Sequence, residues 1–182
     1  MKKIQVPTRE QVDATSQTIF DQLKKELGIV PNLYATIGYS SEALEAFLSF
    51  SGKAGKGSFS GKEIEAIKLA VSEVNGCQYC LAAHTALAKM QGVTEEETLQ
   101  LRATDIEDER LNAITTLARD VALHRARVSD ENLETFYAQG FEEKGLIDLI
   151  AVVNAITFSN YSHILTDVPI DFPRAKSLAV AA

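Results

Sequence analysis

Both cysteines of the chain stand in one short run, Cys77-Gln78-Tyr79-Cys80, and a histidine follows at His84. On a helix, spacings of three and four residues bring side chains to one face, so two sulfurs and an imidazole share a surface. A helix N-terminus favours an anion by about 0.3–1 kcal/mol, and a nearby imidazole adds general-base assistance. A thiolate therefore forms more easily here than on an ordinary surface. The chemistry these types and spacings suit is that of a nucleophilic sulfur.

Two other readings compete. A Cys77–Cys80 disulfide could be a structural staple, but the chain-entropy relation gives only roughly 2 kcal/mol for so small a loop, against about 4.7 for a hundred-residue one. A metal site is the sharper competitor, since Cys-x-x-Cys plus His84 offers three ligands of the kind zinc accepts. A structural zinc site wants a fourth, and no further cysteine exists, while His124 and His163 lie far along the chain. Those two histidines are expected on the surface or in satisfied core positions. His84 alone would count for little, and Glu65 alone reads as a solvated helix face.

The elements that must position these groups are helices. All four prolines, Pro7, Pro31, Pro169 and Pro173, lie towards the ends of the chain, leaving a long interior free of the strongest helix breaker. Capping-box patterns occur at Thr8 to Gln11, Ser60 to Glu63, Thr94 to Glu97 and Thr104 to Glu107. Apolar residues recur at helical spacing, as in Ile64, Ile67, Val71 and Val74, or Leu111, Ile114, Leu117 and Val121. The pattern predicts helices over 9–26, 41–53, 61–74, 77–91, 94–103, 105–126, 130–140 and 143–163, a short helical turn begun by Pro31, and an extended tail after Thr166. Asn75-Gly76 reads as the break that starts the cysteine helix, with Cys77 in its first turn, and Gly92 as its stop. Lys53 to Ser60 reads as an exposed loop.

At 182 residues the chain can bury a proper core, and one domain over 1–182 is the default. Its 46% hydrophobic and 24% charged residues are those of a globular protein. A formal charge of −7 without a Lys/Arg cluster disfavours nucleic acid and anionic lipid as partners. The polar Thr8-Arg9-Glu10-Gln11 stands where a signal peptide needs its apolar region, and no apolar run is long enough to span a bilayer. The expected location is the cytoplasm, where thiols are kept reduced.

Glu65, followed by Cys77-Gln78-Tyr79-Cys80-Leu81-Ala82-Ala83-His84, resembles the AhpD-like alkylhydroperoxidases of the carboxymuconolactone decarboxylase superfamily. Val30-Pro31-Asn32-Leu33-Tyr34 and Ser40-Ser41-Glu42-Ala43-Leu44 are similar to that superfamily's peroxidase-related branch, and the resemblance runs from about residue 25 to residue 165. It implies an all-α, AhpD-like helical fold with the Cys-x-x-Cys motif at the N-terminus of a core helix, and a homo-oligomer, often a trimer or hexamer. It also implies a relay in which Glu65 orients and polarises His84, His84 takes the proton of Cys80 directly or through water, Cys80 attacks a small hydroperoxide, and Cys77 resolves the sulfenic acid as a disulfide. No bound cofactor or metal is implied; an external dithiol, thioredoxin-like or lipoyl-like, restores the pair, with Cys77 its expected first contact.

Tyr79 departs from the better-known reductase members, which carry a histidine before the second cysteine, so their adaptor and proton path are not carried over. An aromatic packing role is the simpler expectation for it. Decarboxylase members lack this cysteine pair as their working group, which disfavours lactone decarboxylation. The expected activity is a thiol-dependent peroxidase. A disulfide reductase or thiol-exchange protein is the enzymatic alternative, and a redox sensor or oligomeric helical module the non-enzymatic one. Tyr34, Tyr39, Phe47, Phe50 and Phe59 either line an apolar pocket or fill the core, the usual fate of aromatics at helical spacing.

Overall fold

The computed structural model describes residues 4–178. After a 3₁₀ turn at Arg9–Gln11 come helices α1 (Ala14–Leu27), α2 (Asn32–Ile37), α3 (Ser41–Ala54), α4 (Gly61–Asn75), α5 (Gln78–Met90), α6 (Glu95–Ala103), α7 (Glu109–His124), α8 (Asp130–Ala138) and α9 (Glu143–Thr166). No strand occurs among the described residues, and the fold is all-α as expected. None of these helices is long and apolar enough to cross a membrane.

Most starts follow the local chemistry. Glu63 accepts from the Ser60 N–H at 2.7 Å and Glu97 from the Thr94 N–H at 2.7 Å, completing two of the capping boxes. The Thr8 box forms but supports only the 3₁₀ turn, because Val12 is extended and Asp13 caps a new helix by accepting from the Ser16 N–H at 2.8 Å. The Thr104 box does not form. Thr104 is left-handed at φ 57°, closing α6, and Asp108 caps α7 through the Leu111 N–H at 2.9 Å. A helix needing a left-handed terminator takes precedence over a start signal on the same residue. The 53–60 segment is also less exposed than expected: Phe59 is buried, and Asp148 of α9 accepts from the Ser58 N–H at 2.8 Å.

Helix α4 is the centre of the molecule. Ile64, Glu65, Ala66, Ile67, Leu69, Ala70, Val71 and Ser72 are all buried, the all-round burial of a helix with no solvent face. Ile67 and Val71 join one apolar cluster with Phe136, Leu149, Val152 and Ile156; Ala66 and Leu69 join a second with Leu81, Leu101 and Leu111. Phe47 and Phe59 fill the first cluster, whereas Tyr39 and Phe50 stay exposed. Phe136 is fully buried, stacked on Phe141 at 4.3 Å. Phe136→Ala is expected to cost about 3–5 kcal/mol, measurable by urea unfolding.

The tail after α9 turns back over the molecule. Asp171 accepts from the Asn32 N–H at 2.7 Å, the Pro169 carbonyl from Asn32 Nδ2 at 3.0 Å, and the Lys176 carbonyl from Arg102 at 2.5 Å. Non-helical as expected, this strap closes over the start of α5, where the cysteines lie.

Candidate active site

Gly76 adopts φ 68° and ends α4, its neighbour's N–H returning to the Ser72 carbonyl at 3.0 Å. The left-handed turn is one that glycine adopts without steric cost. Cys77 then stands not in the first turn of α5 but one residue earlier, as its N-cap, with Sγ accepting from the Cys80 N–H at 3.4 Å. Both thiols are free and buried. The Cys77 pKa is lowered to about 5: the Cys80 thiol donates to it, which outweighs burial, and His163 and the Cys80 N–H add to the effect. Cys80 moves the opposite way, because its proton is held by the Cys77 sulfur, because it is buried, and because a second charge beside Cys77 is unfavourable.

Cys80 and His84 share the wall of one cavity of about 460 Å³, together with Leu33, Tyr34, Tyr79, Leu87 and Phe172. Cys77 is absent from that wall. His84 Nδ1–H donates to Glu65 Oε2 at 2.6 Å, and Lys68 Nζ donates to Glu65 Oε1 at 3.0 Å. Burial raises the Glu65 pKa, but His84 and Lys68 more than offset this and lower it to about 2. An ionised carboxylate only accepts. Nδ1 therefore carries its proton towards Glu65, and Nε2 is the nitrogen left for the cavity.

The four expected residues thus come together, with a division inside the group. Glu65 holds His84, and His84 and Cys80 share one cavity wall; Cys77 is off that wall and meets a different imidazole. Helix α9 supplies two further side chains: Asn160, which sequence reasoning did not single out, and His163, which it expected on the surface or in a satisfied core position. Asn160, fully buried, donates to Ser72 Oγ at 3.1 Å and accepts from Asn75 Nδ2 at 2.8 Å, and it also hydrogen-bonds Cys80. His163, buried three residues on, hydrogen-bonds Cys77. Their spacing on an otherwise apolar helix was the available signal. His124, by contrast, is a half-exposed partner of Asp120 at 2.5 Å. Tyr79 packs as expected, against His163 at 5.0 Å and Phe172 at 5.6 Å, its oxygen accepting from the Leu33 N–H at 3.3 Å.

Residues 41–124 match the carboxymuconolactone decarboxylase family, a span that contains Glu65, Cys77, Cys80 and His84. The uncharacterized protein YdfG of Bacillus subtilis (strain 168) is 28% identical over 99 residues, 53% of this chain and 67% of that protein. An uncharacterized peroxidase-related protein from Ralstonia eutropha JMP134, described as an alkylhydroperoxidase AhpD core, superposes with a TM-score of 0.79 at 22% identity, over 90% of this chain and 88% of its own. The debrominase Bmp8, as its C82A variant with 2,3,4-tribromopyrrole, gives a TM-score of 0.78 at 19% identity over 94% and 93%. At these identities the two structures share the fold, and neither brings a substrate with it. Residues 41–124, the span that carries the motif, thus match the carboxymuconolactone decarboxylase family, and the chain shares the helical fold of AhpD-like proteins.

Proposed function

We propose that the protein is a thiol-dependent peroxidase, reducing organic hydroperoxides or hydrogen peroxide through a Cys77–Cys80 dithiol/disulfide cycle. The observation that carries this reading is the joint opening of Cys80 and His84 into a mainly apolar cavity, with Glu65 fixing the His84 ring from behind. A hydroperoxide entering there meets Cys80 before it meets Cys77. The apolar wall favours an organic substituent on the peroxide.

In the proposed cycle, His84 Nε2 takes the Cys80 proton. Cys80 Sγ bonds to the distal peroxide oxygen as the O–O bond breaks, and the departing alkoxide takes the proton back from His84, leaving as an alcohol. Cys80 is now a sulfenic acid. The Cys77 thiolate attacks Cys80 Sγ, the S–O bond breaks, and hydroxide leaves as water with the proton Cys77 had given up. Two electrons have passed from the dithiol to the peroxide. An external dithiol, thioredoxin-like or lipoyl-like, returns them by exchange, so the cycle uses no resident cofactor. A homo-oligomer, trimer or hexamer, in the cytoplasm completes the proposal; Met90 and Leu165, 79% and 85% exposed, are apolar surface on which copies can meet.

Thiol titration with intact mass, before and after one equivalent of cumene hydroperoxide, tests the reading. Loss of both thiols and of two hydrogens is expected; unchanged thiols would rule the peroxidase out.

A further inference from the structure

Two imidazoles flank the cysteine pair, and the proposed peroxide chemistry uses only His84. His163 is 7% exposed and its Nε2 lies 3.1 Å from the Val168 carbonyl. A carbonyl only accepts, so Nε2 carries the hydrogen and Nδ1 is left for the Cys77 sulfur, the other partner of this ring. Tyr79 holds the ring from the side at 5.0 Å.

Outside this imidazole is a second cavity, of about 390 Å³, lined by Gly76, Gln78, His163, Val168, Ile170 and Arg174 among others. It shares no lining residue with the Cys80 cavity. Gly76 and Gln78 are the chain neighbours of Cys77, and a Cβ built on Gly76 would meet nothing within 4 Å. Cys77 itself is fully buried and lies on the wall of neither cavity, but its chain neighbours and His163 stand on the wall of this one. The start of α5 thus lies between an apolar cavity that reaches Cys80 and a mixed one that reaches His163 and the chain neighbours of Cys77.

We infer that the second cavity is the site of the reductant, a small dithiol, and that His163 is the acid–base residue for thiol–disulfide exchange at Cys77. The inference rests on the dithiol/disulfide reading above and deepens it. One reductant thiol gives its proton to His163 Nδ1 and bonds to Cys77 Sγ; the Cys77–Cys80 bond breaks, and Cys80 leaves as a thiolate that takes a proton from the His84 side. The second reductant thiol, losing its proton to solvent, then attacks the first reductant sulfur. The mixed disulfide breaks, the reductant leaves as a cyclic disulfide, and Cys77 departs as a thiolate paired with the His163 imidazolium. Two electrons and two protons enter the protein.

Facing the imidazole are Cys77 at the N-cap of α5, Tyr79 of α5, Asp167 after α9 and, across the cavity, Arg174, with Asp171 beyond Tyr79. Burial lowers the His163 pKa, but the Cys77 sulfur, the Val168 carbonyl and Asp167 outweigh it, and the net shift is upward. An imidazolium with Nε2–H on Val168 and Nδ1–H on a thiolate satisfies both donors.

The test takes protein oxidised with diamide, so that loading the disulfide does not depend on peroxide, and follows its reduction by dithiothreitol. His163→Gln, or His163→Asn if glutamine disturbs the packing, is expected to slow reduction by at least about tenfold and by more than His84→Gln does. In a Cys80→Ser background the same change should raise the Cys77 pKa by about one unit or more. Ile164→Trp, which narrows the cavity, should lower the second-order rate constant for dithiothreitol by about tenfold. A His163 variant no slower than His84→Gln, or an unmoved Cys77 titration, overturns the role of His163. An unaffected Ile164→Trp overturns the site. Wild-type protein that forms a disulfide with diamide but ignores hydroperoxide overturns the peroxidase reading instead, and the reductive measurements still stand.

Discussion

Cys80→Ser is expected to lower peroxide turnover by about 10³-fold or more, because it removes the atom that bonds to the peroxide oxygen. Cys77→Ser should behave differently. Its Cys80 still reaches the cavity, so one equivalent of peroxide should be consumed and a sulfenic acid should persist, trappable by dimedone and visible as one added oxygen in the intact mass. The contrast matters because Cys77, not Cys80, is the sulfur whose pKa is lowered, to about 5. If acidity alone chose the nucleophile, Cys77→Ser would be the variant that loses the first turnover. Access argues the other way: a buried thiolate behind the cavity wall serves best as the resolving group, already ionised when the sulfenic acid forms. Loss of the first turnover in Cys77→Ser with retention in Cys80→Ser would reverse the assignment.

His84→Gln is expected to slow peroxide consumption by about 10²-fold, and Glu65→Gln by about tenfold, the first removing the base and the second only its orientation. Glu65→Gln also predicts a change in stability against pH. The folded-state pKa of Glu65, about 2, lies below its ordinary value of 4.5, so its stabilisation is fully present above the ordinary carboxylate range and is lost as pH falls through the folded value. The shift corresponds to about 3 kcal/mol. Glu63 and Asp120 are also buried carboxyls with lowered pKa values, so the informative quantity is the difference between wild type and Glu65→Gln. In urea unfolding that difference should be large at pH 7 and shrink by pH 2. Parallel pH profiles for the two proteins would mean that His84 and Lys68 do not hold the carboxylate ionised.

Sequence reasoning succeeded where one local cause acted without a competitor. The boxes at Ser60 and Thr94, the glycine break at Gly76 and the apolar spacing of α4 and α7 each depend on residues within a turn or two of one another, and Cys80 and His84 share a face because a single helix carries both. Its errors were local competitions. Val12 and Asp13 divided the first helix, and Thr104, able to start a helix, was used to finish one.

The site divides in the same way. From residue types and spacing alone came the helical dithiol with its histidine; Glu65 entered through family resemblance, since nothing local ties it to His84. The tertiary structure alone decided which imidazole meets which sulfur. Packing α9 against α4 and α5 brings Asn160 to Cys80 and His163 to Cys77, and the returning tail positions the Val168 carbonyl on His163. Helical periodicity reports which side chains share a face, but the partner across that face comes from burial of distant apolar surface, and no local spacing in the chain encodes it.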